Sequence, residues 1–142
     1  MAGPRLLAAF AEGYPDAVFV EIGANDGDKN DHLRPFLART RWSGVMVEPV
    51  PYVFERLTEN YAAFDRVVLE NVAVAETDGA LPFFHLREAG ADERASLPSW
   101  YDEIGSFSRE AVLRHVASIP ELEDRVVETS VPSVTFATLC RR

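Results

Sequence analysis

The 142-residue chain has little cysteine and no long apolar run, and each of these absences excludes a class of protein. The one cysteine, Cys140, excludes an internal disulfide framework and a multi-cysteine metal site. Because Cys140 lies in an apolar stretch, we expect its side chain to be buried. No apolar run approaches the roughly 18 residues that a membrane-spanning helix needs, and the segment from Met1 to Tyr14 lacks the apolar centre of a secretory signal. We therefore expect no membrane partner and a cytoplasmic location.

Basic residues are also in the minority. The chain has 14 Lys and Arg against 23 Asp and Glu, which gives a formal net charge of −9. Unspecific binding to nucleic acid depends on neutralising phosphates with Lys and Arg. This balance argues against a nucleic-acid partner and indicates a soluble protein. One domain, 1–142, is the expected number at this length.

The order of predicted elements indicates an α/β fold. A helical lead-in over residues 1–16 precedes a core over residues 17–75 that reads β-α-β-α-β, a pattern typical of parallel strands joined by right-handed crossovers. The first helix of this core is predicted to follow Asp28, with its regular part beginning near Pro35. The third strand is predicted to continue as far as Val74.

Residues 76–142 are predicted to contain a hairpin, a loop and a C-terminal helical segment. A turn at Thr77–Gly79 is expected to return the chain into a strand over Ala80–Leu86, which would make the hairpin. Ser108 is a predicted N-cap, and Thr135 is predicted to open a last helix.

The stretch Val18–Gly27 is the most informative part of the sequence. A short apolar run rich in β-branched residues contains Glu21 near its end and is followed by a turn between Gly23 and Gly27. Such a strand and turn leading into a helix is the unit on which α/β proteins hold nucleotides. Dinucleotide-binding folds need a second glycine where this chain has Asn25, which disfavours a nicotinamide oxidoreductase. An acidic side chain at the end of the strand, here Glu21, is suited to a positively charged or hydroxyl-bearing ligand and poorly suited to a phosphate. The pattern therefore favours S-adenosylmethionine, which is cationic and has no phosphates.

A second acid supports this interpretation. Glu48 lies at the tip of the second predicted strand, 21 residues beyond Gly27, where a doubly wound sheet faces the ribose of a cofactor. Strand-terminal acids also cap helices or pair with arginines, and Asn25 and Asp26 can either hold the ligand or form Asx-turns that only shape the loop. The predicted cofactor-binding residues are Glu21, Gly23, Ala24, Asn25, Asp26, Gly27, Glu48, Pro49, Asn71, Val72 and Ala73, of which the last three are placed near the adenine by topology.

Five segments resemble the FkbM-type methyltransferases: Phe19–Gly27, Gly44–Pro49, Asn71–Val74, Gly105–Glu110 and Val131–Phe136. The resemblance runs from about Val18 to Leu139. It implies a Rossmann-like class I methyltransferase fold, S-adenosylmethionine as methyl donor, and a hydroxyl of a small molecule or sugar as acceptor.

The family pattern continues after the final helix into another strand with an Asp-x-Glu-Gly-like motif. The resemblance therefore implies a partial, C-terminally incomplete domain, with the first strand left as an exposed edge that favours homo-oligomerisation. The alternative to an enzyme is a noncatalytic or truncated Rossmann-like binding module that acts through a partner.

The sequence assigns no catalytic base and no metal site. The spacing of Asp26, Asp28 and Asp31 lacks the glycine and the terminal glutamate of a calcium-binding loop. Four side chains are candidates for a base: His32, His85, His115 and Asp102. A surface or packing role is the preferred interpretation of each, and His32, which is nearest to the glycine turn, is the best of the four candidates.

Overall fold

The structure, a computed structural model, describes residues 3–142 as a mixed α/β fold. Its helices are Gly3–Gly13 (α1), Arg34–Leu37 (α2), Pro51–Tyr61 (α3), Ala91–Arg94 (α4), Arg109–Val116 (α5), Pro120–Glu123 (α6) and Phe136–Leu139 (α7). Its strands are Val18–Ile22 (β1), Ser43–Val47 (β2), Val67–Glu70 (β3), Ala73–Val74 (β4), Gly79–Leu86 (β5), Gly105–Ser106 (β6) and Val126–Val134 (β7). Within this range no helix is long and apolar enough to cross a membrane.

The first sheet consists of β1, β2 and β3 in that order, all parallel. This arrangement confirms the predicted β-α-β-α-β core. One face of the sheet packs against the helices through a buried cluster that includes Phe36, Trp42, Met46, Leu57 and Tyr61. The third strand is shorter than predicted, because the chain leaves the sheet after β3 and β4 belongs to a second sheet.

The opposite face of β1 is exposed. Because side chains alternate along a strand, Phe19 packs into the core cluster while Val18, Val20 and Ile22 are 79%, 38% and 55% exposed. In the described part of the chain, β2 is the one strand that pairs with β1. Within the described residues the first strand is thus an open edge, and the sheet face that carries Val18, Val20 and Ile22 is uncovered there.

The second sheet has the order β4-β7-β5-β6, and the predicted hairpin is wrong. The strand that follows the turn, β5, pairs antiparallel with β7 from Gly79 opposite Ser133 to Leu86 opposite Val126. The long β7 therefore lies between β4 and β5. The physical reason is length, since β4 offers two residues for pairing and β7 offers nine.

The helix predicted from Asp28 begins at Arg34. Asp31 Oδ1 accepts hydrogen bonds from the backbone N–H groups of Leu33 (2.7 Å) and Arg34 (3.1 Å), and these bonds hold the entry turn. Pro35 lies in the first turn of the helix, where proline is tolerated. The regular part of the helix therefore starts near Pro35, as predicted.

Two predicted caps are confirmed and one burial prediction is wrong. Ser108 Oγ accepts from the N–H of Ala111 (3.3 Å) at the start of α5, and Thr135 Oγ1 accepts from the N–H of Thr138 (3.1 Å) at the start of α7. Cys140 is exposed. It lies just beyond the four-residue α7, whose inward position is taken by the preceding residue, Leu139.

Candidate functional site

The carboxyl ends of β1 and β2 open onto a cavity of about 120 Å³. Its lining residues come from the glycine turn, the end of β2, β5 and the segment around β6: Gly23, Asn25, Glu48, Pro49, Val50, Phe83, Asp102, Glu103, Ile104 and Gly105. The structure therefore brings four residues of the predicted set together at one cavity, Gly23, Asn25, Glu48 and Pro49. The others do not line it: Glu21, Ala24, Asp26, Gly27, Asn71, Val72 and Ala73.

The lining is acidic. It includes three acidic residues, Glu48, Asp102 and Glu103, and no Lys or Arg. Asp102 is paired with Lys29 and Arg56 behind the wall, which leaves Glu48 and Glu103 as the lining acids without a paired cation. A pyrophosphate would lie near these two side chains with no cation in the lining to balance its charge, whereas a positively charged ligand would be attracted. The electrostatics of the cavity thus favour a cation over a phosphate.

Glu48 connects the turn to the start of α3. Its side chain is buried; Oε2 accepts from the N–H of Asn25 (3.0 Å), and Oε1 accepts from the N–H of Val50 (2.9 Å). Burial raises the pKa of Glu48, and the two N–H bonds oppose that shift. Each carboxylate oxygen has a second lone pair. Glu48 therefore acts as a cap and can still accept further hydrogen bonds at the cavity.

The two glycines of the turn are required for different reasons. Both have positive φ, +79° at Gly23 and +68° at Gly27, a conformation that other residues adopt at a cost. A Cβ on Gly23 would meet nothing within 4 Å, so this position faces open space. A Cβ on Gly27 would lie 2.6 Å from atoms of Leu57 and Tyr61. Gly27 is thus needed for packing against α3, and Gly23 leaves the cavity open.

Asp26 shapes the turn. Its side chain is buried, and Oδ1 accepts from the N–H groups of Asp28 (3.0 Å) and Lys29 (2.9 Å), so the residue forms an Asx-turn. Asn60 Nδ2 donates to the Asp26 carbonyl (2.8 Å) and fixes the turn to α3. Asn25, in contrast, has a buried Oδ1 without a hydrogen-bond partner in the described chain. A ligand N–H or O–H group at the cavity could donate to this oxygen.

Asn71 supports the site from behind. Its Nδ2 donates to the carbonyl oxygens of Glu48 (2.8 Å) and Pro49 (3.3 Å), which holds the end of β2 in place. Val72 and Ala73 are buried in two separate apolar clusters. The residues after β3 therefore position the cavity wall from outside it.

Glu21 lies beneath the turn, on the face of β1 that carries Phe19. Its Oε2 is buried without a hydrogen-bond partner in the described chain. Burial, and to a smaller extent the charge of Asp31, raises the pKa of Glu21 to about 7. Asp31 in turn accepts a hydrogen bond from the Tyr61 hydroxyl. Glu21 is therefore a partly buried acid with a raised pKa, and it does not line the cavity.

The sequence interpretation missed the ion cluster that holds the far wall. The side chain of Asp102 is fully buried and accepts from Lys29 Nζ (2.8 Å) and from Arg56 Nη1 (2.9 Å). Lys29 also donates to the carbonyl of Ser99 (3.1 Å). The first pair joins residues 73 positions apart, so no local pattern could reveal it. The cluster pins the segment before β6 across the cavity from the glycine turn.

The four candidate bases lie in different surroundings. Asp102 lines the cavity but is occupied by two cations. His85 is buried between strands, with Nε2 2.9 Å from Thr129 Oγ1, and burial lowers its pKa. His32 is exposed and away from the cavity lining. His115 is exposed on α5 and lines a neighbouring cavity of about 210 Å³.

Across residues 3–142, no three His, Cys, Asp or Glu side chains group as a metal site.

Comparisons of the chain with models of protein families, with curated proteins and with solved structures give no match. What the site does must therefore be argued from its geometry and charge.

Proposed function

We propose that the chain carries the S-adenosylmethionine-binding part of a methyltransferase with a Rossmann-like class I fold, acting on a hydroxyl of a small molecule or sugar. One observation carries the proposal: Gly23, Asn25 and Glu48 surround a single cavity at the carboxyl ends of adjacent parallel strands, with no cationic side chain in its lining. Ligands of open α/β sheets bind at this edge. The sulfonium and ammonium groups of S-adenosylmethionine match the acidic lining.

Three of the lining residues have a role in binding the cofactor in this proposal. Glu48 accepts hydrogen bonds from the ribose hydroxyls through its free lone pairs, and Gly23 leaves space for the ligand to lie against the backbone. The buried Oδ1 of Asn25 accepts from an N–H or O–H group of the ligand. Small-molecule sites usually measure about 300 Å³ or more, so the cavity of about 120 Å³ holds one end of the molecule and the rest lies along its open mouth.

Bound S-adenosylmethionine supplies an activated methyl group for in-line displacement. The contribution of the protein to such a reaction is alignment of the reacting atoms. Here the Lys29–Asp102–Arg56 cluster fixes the far wall, while Glu48 and Asn71 fix the near wall. The two walls thus form a preorganised site.

A noncatalytic binding module is the second candidate function, and the exposed apolar row of Val18, Val20 and Ile22 favours it. An uncovered apolar edge strand is a surface that another chain can pair with. In this proposal the domain works through a partner or a second copy bound along β1.

The test is a calorimetric titration of the chain with S-adenosylhomocysteine, with NADH as control ligand. We expect saturable binding of S-adenosylhomocysteine alone. Glu48→Ala should weaken it by about tenfold or more, since a hydrogen bond to a charged group contributes about 1.5–3 kcal/mol. Glu59→Ala, which removes an exposed carboxylate from α3, is the matched control and should bind as the wild type does.

Gly23→Val should abolish binding, because its side chain would extend into the open space beside the turn. Equal affinity of Glu48→Ala and the wild type would contradict the ribose assignment. A folded wild-type chain that fails to bind S-adenosylhomocysteine would favour the binding module.

A further inference from the structure

A second cavity adjoins the first. It measures about 210 Å³ and shares the segment Glu103–Gly105 with the first cavity; the rest of its lining is Ser106 together with Ala111, Val112 and His115 from α5. Three further cavities, beside α1, α4 and α6, have no lining residue in common with the first. The second cavity therefore lies next to the first, on the shared segment Glu103–Gly105.

The lining of the second cavity suits a neutral molecule with hydroxyl groups. The carboxylate of Glu103, the hydroxyl of Ser106 and the imidazole of His115 offer hydrogen bonds, while Ile104 and Val112 supply apolar contact. No Lys or Arg lines the cavity. A phosphorylated or carboxylated ligand would face the Glu103 carboxylate without a cation to balance its charge.

Glu103 is the one titratable side chain that lines both cavities. The preceding residue, Asp102, is held by Lys29 and Arg56, so the backbone that presents Glu103 is fixed. The Glu103 carboxylate itself is exposed, and Asn30 Nδ2 donates to its Oε1 over 3.4 Å, a long hydrogen bond. Its remaining lone pairs are free to accept from a ligand.

On the basis of the proposed function, we propose that the second cavity binds the methyl acceptor, a neutral hydroxyl-bearing molecule. Glu103 accepts a hydrogen bond from the reacting hydroxyl and so orients its oxygen toward the first cavity. The apolar surface of Ile104 and Val112 packs against the carbon skeleton of the acceptor.

The proposal is tested by NMR titration of the ¹⁵N-labelled 142-residue chain with cis-1,2-cyclohexanediol as the neutral hydroxyl probe. We expect saturable amide shifts in residues 103–106 and 111–115. Glu103→Ala should weaken binding by about threefold or more, which corresponds to one hydrogen bond. Glu123→Ala, which removes an exposed carboxylate on α6, is the control and should bind normally.

Ala111→Trp provides a second variant, because its ring would fill the cavity while the amide spectrum reports whether the chain stays folded. We expect this variant to lose the diol shifts and to keep S-adenosylhomocysteine binding. Absent diol shifts, shifts confined to other surfaces, or unchanged affinity in Glu103→Ala would overturn the acceptor assignment and leave the donor site standing. Failure of the wild type to bind S-adenosylhomocysteine would instead remove the proposed function, and the acceptor role with it.

Discussion

Replacing Glu21 with Gln should make the protein more stable at alkaline pH. The Glu21 carboxyl has its pKa raised from an ordinary 4.5 to about 7, first by burial and then by the charge of Asp31. The folded state therefore keeps a proton that the unfolded chain releases near pH 4.5. The stabilising contribution of that proton is complete below pH 4.5 and is lost as pH rises through 7. A Gln side chain is neutral throughout and avoids this loss.

The size of the effect follows from the shift. One pKa unit corresponds to about 1.36 kcal/mol, so a shift from 4.5 to about 7 sets an upper limit near 3 kcal/mol. The Glu21 side chain is only partly buried, and solvent screens part of the interaction. We therefore expect the free energy of unfolding of Glu21→Gln to exceed that of the wild type by about 1–2 kcal/mol more at pH 8 than at pH 5.

Urea unfolding at pH 5, 6, 7 and 8 measures this difference directly. Glu59→Gln on the exposed side of α3 is the matched control and should follow the wild type at every pH. The Glu48 carboxyl also titrates, but its contribution is common to all three proteins and cancels. A difference between Glu21→Gln and the wild type that stays constant from pH 5 to 8 would refute the reasoning, because Glu21 would then titrate alike in the folded and unfolded chains.

Two further predictions concern the packing of Gly27 and the contribution of His85 to stability at acidic pH. Gly27→Ala should lower the free energy of unfolding by about 2 kcal/mol or more, because the position has a positive φ and a Cβ there would collide with Leu57. Gly13→Ala is the control and should change it little, since a Cβ at Gly13 meets no atom within 4 Å. Equal unfolding midpoints of the two variants in urea would contradict this prediction. Burial lowers the pKa of His85, so the stability that neutral His85 provides is present above pH 6.5 and is lost as pH falls below it. His85→Gln should therefore show a flatter loss of thermal stability between pH 7 and 5 than the wild type or the exposed-site control His32→Gln, and an unchanged slope would count against this role of His85.

The sequence predicted the features that depend on neighbouring residues. The β-branched run that forms β1 and the cap at Ser108 were identified because strand propensity and capping act within a few residues. The Asx-turn that the sequence analysis offers as an alternative role for Asp26 also depends only on neighbouring residues, and it is present in the structure. The regular part of the first core helix starts near Pro35, as the sequence indicates, and the hydrogen bonds from the Leu33 and Arg34 N–H groups to Asp31 hold the turn before it.

Strand partners and burial were decided by tertiary structure. The turn at Thr77–Gly79 made a hairpin with the preceding strand plausible, yet the longer pairing with β7 takes its place. Cys140 lies in an apolar stretch of the sequence but is exposed, because the four-residue α7 buries few of its side chains and Leu139 is the buried one. Neither outcome could follow from local sequence, since both depend on which distant segments compete for the same surface.

The sequence by itself determined the β-α-β-α-β core and the placement of Glu21 and Glu48 at the ends of two parallel strands, because periodicity and turn residues are encoded locally. Only the tertiary structure decided that Glu48 lines the cavity while Glu21 lies beneath the turn. It also brought Asp102 to Lys29 and set Glu103 between two cavities. These contacts join residues far apart in the chain, and only folding can bring Lys29 and Arg56 to the buried Asp102 carboxylate.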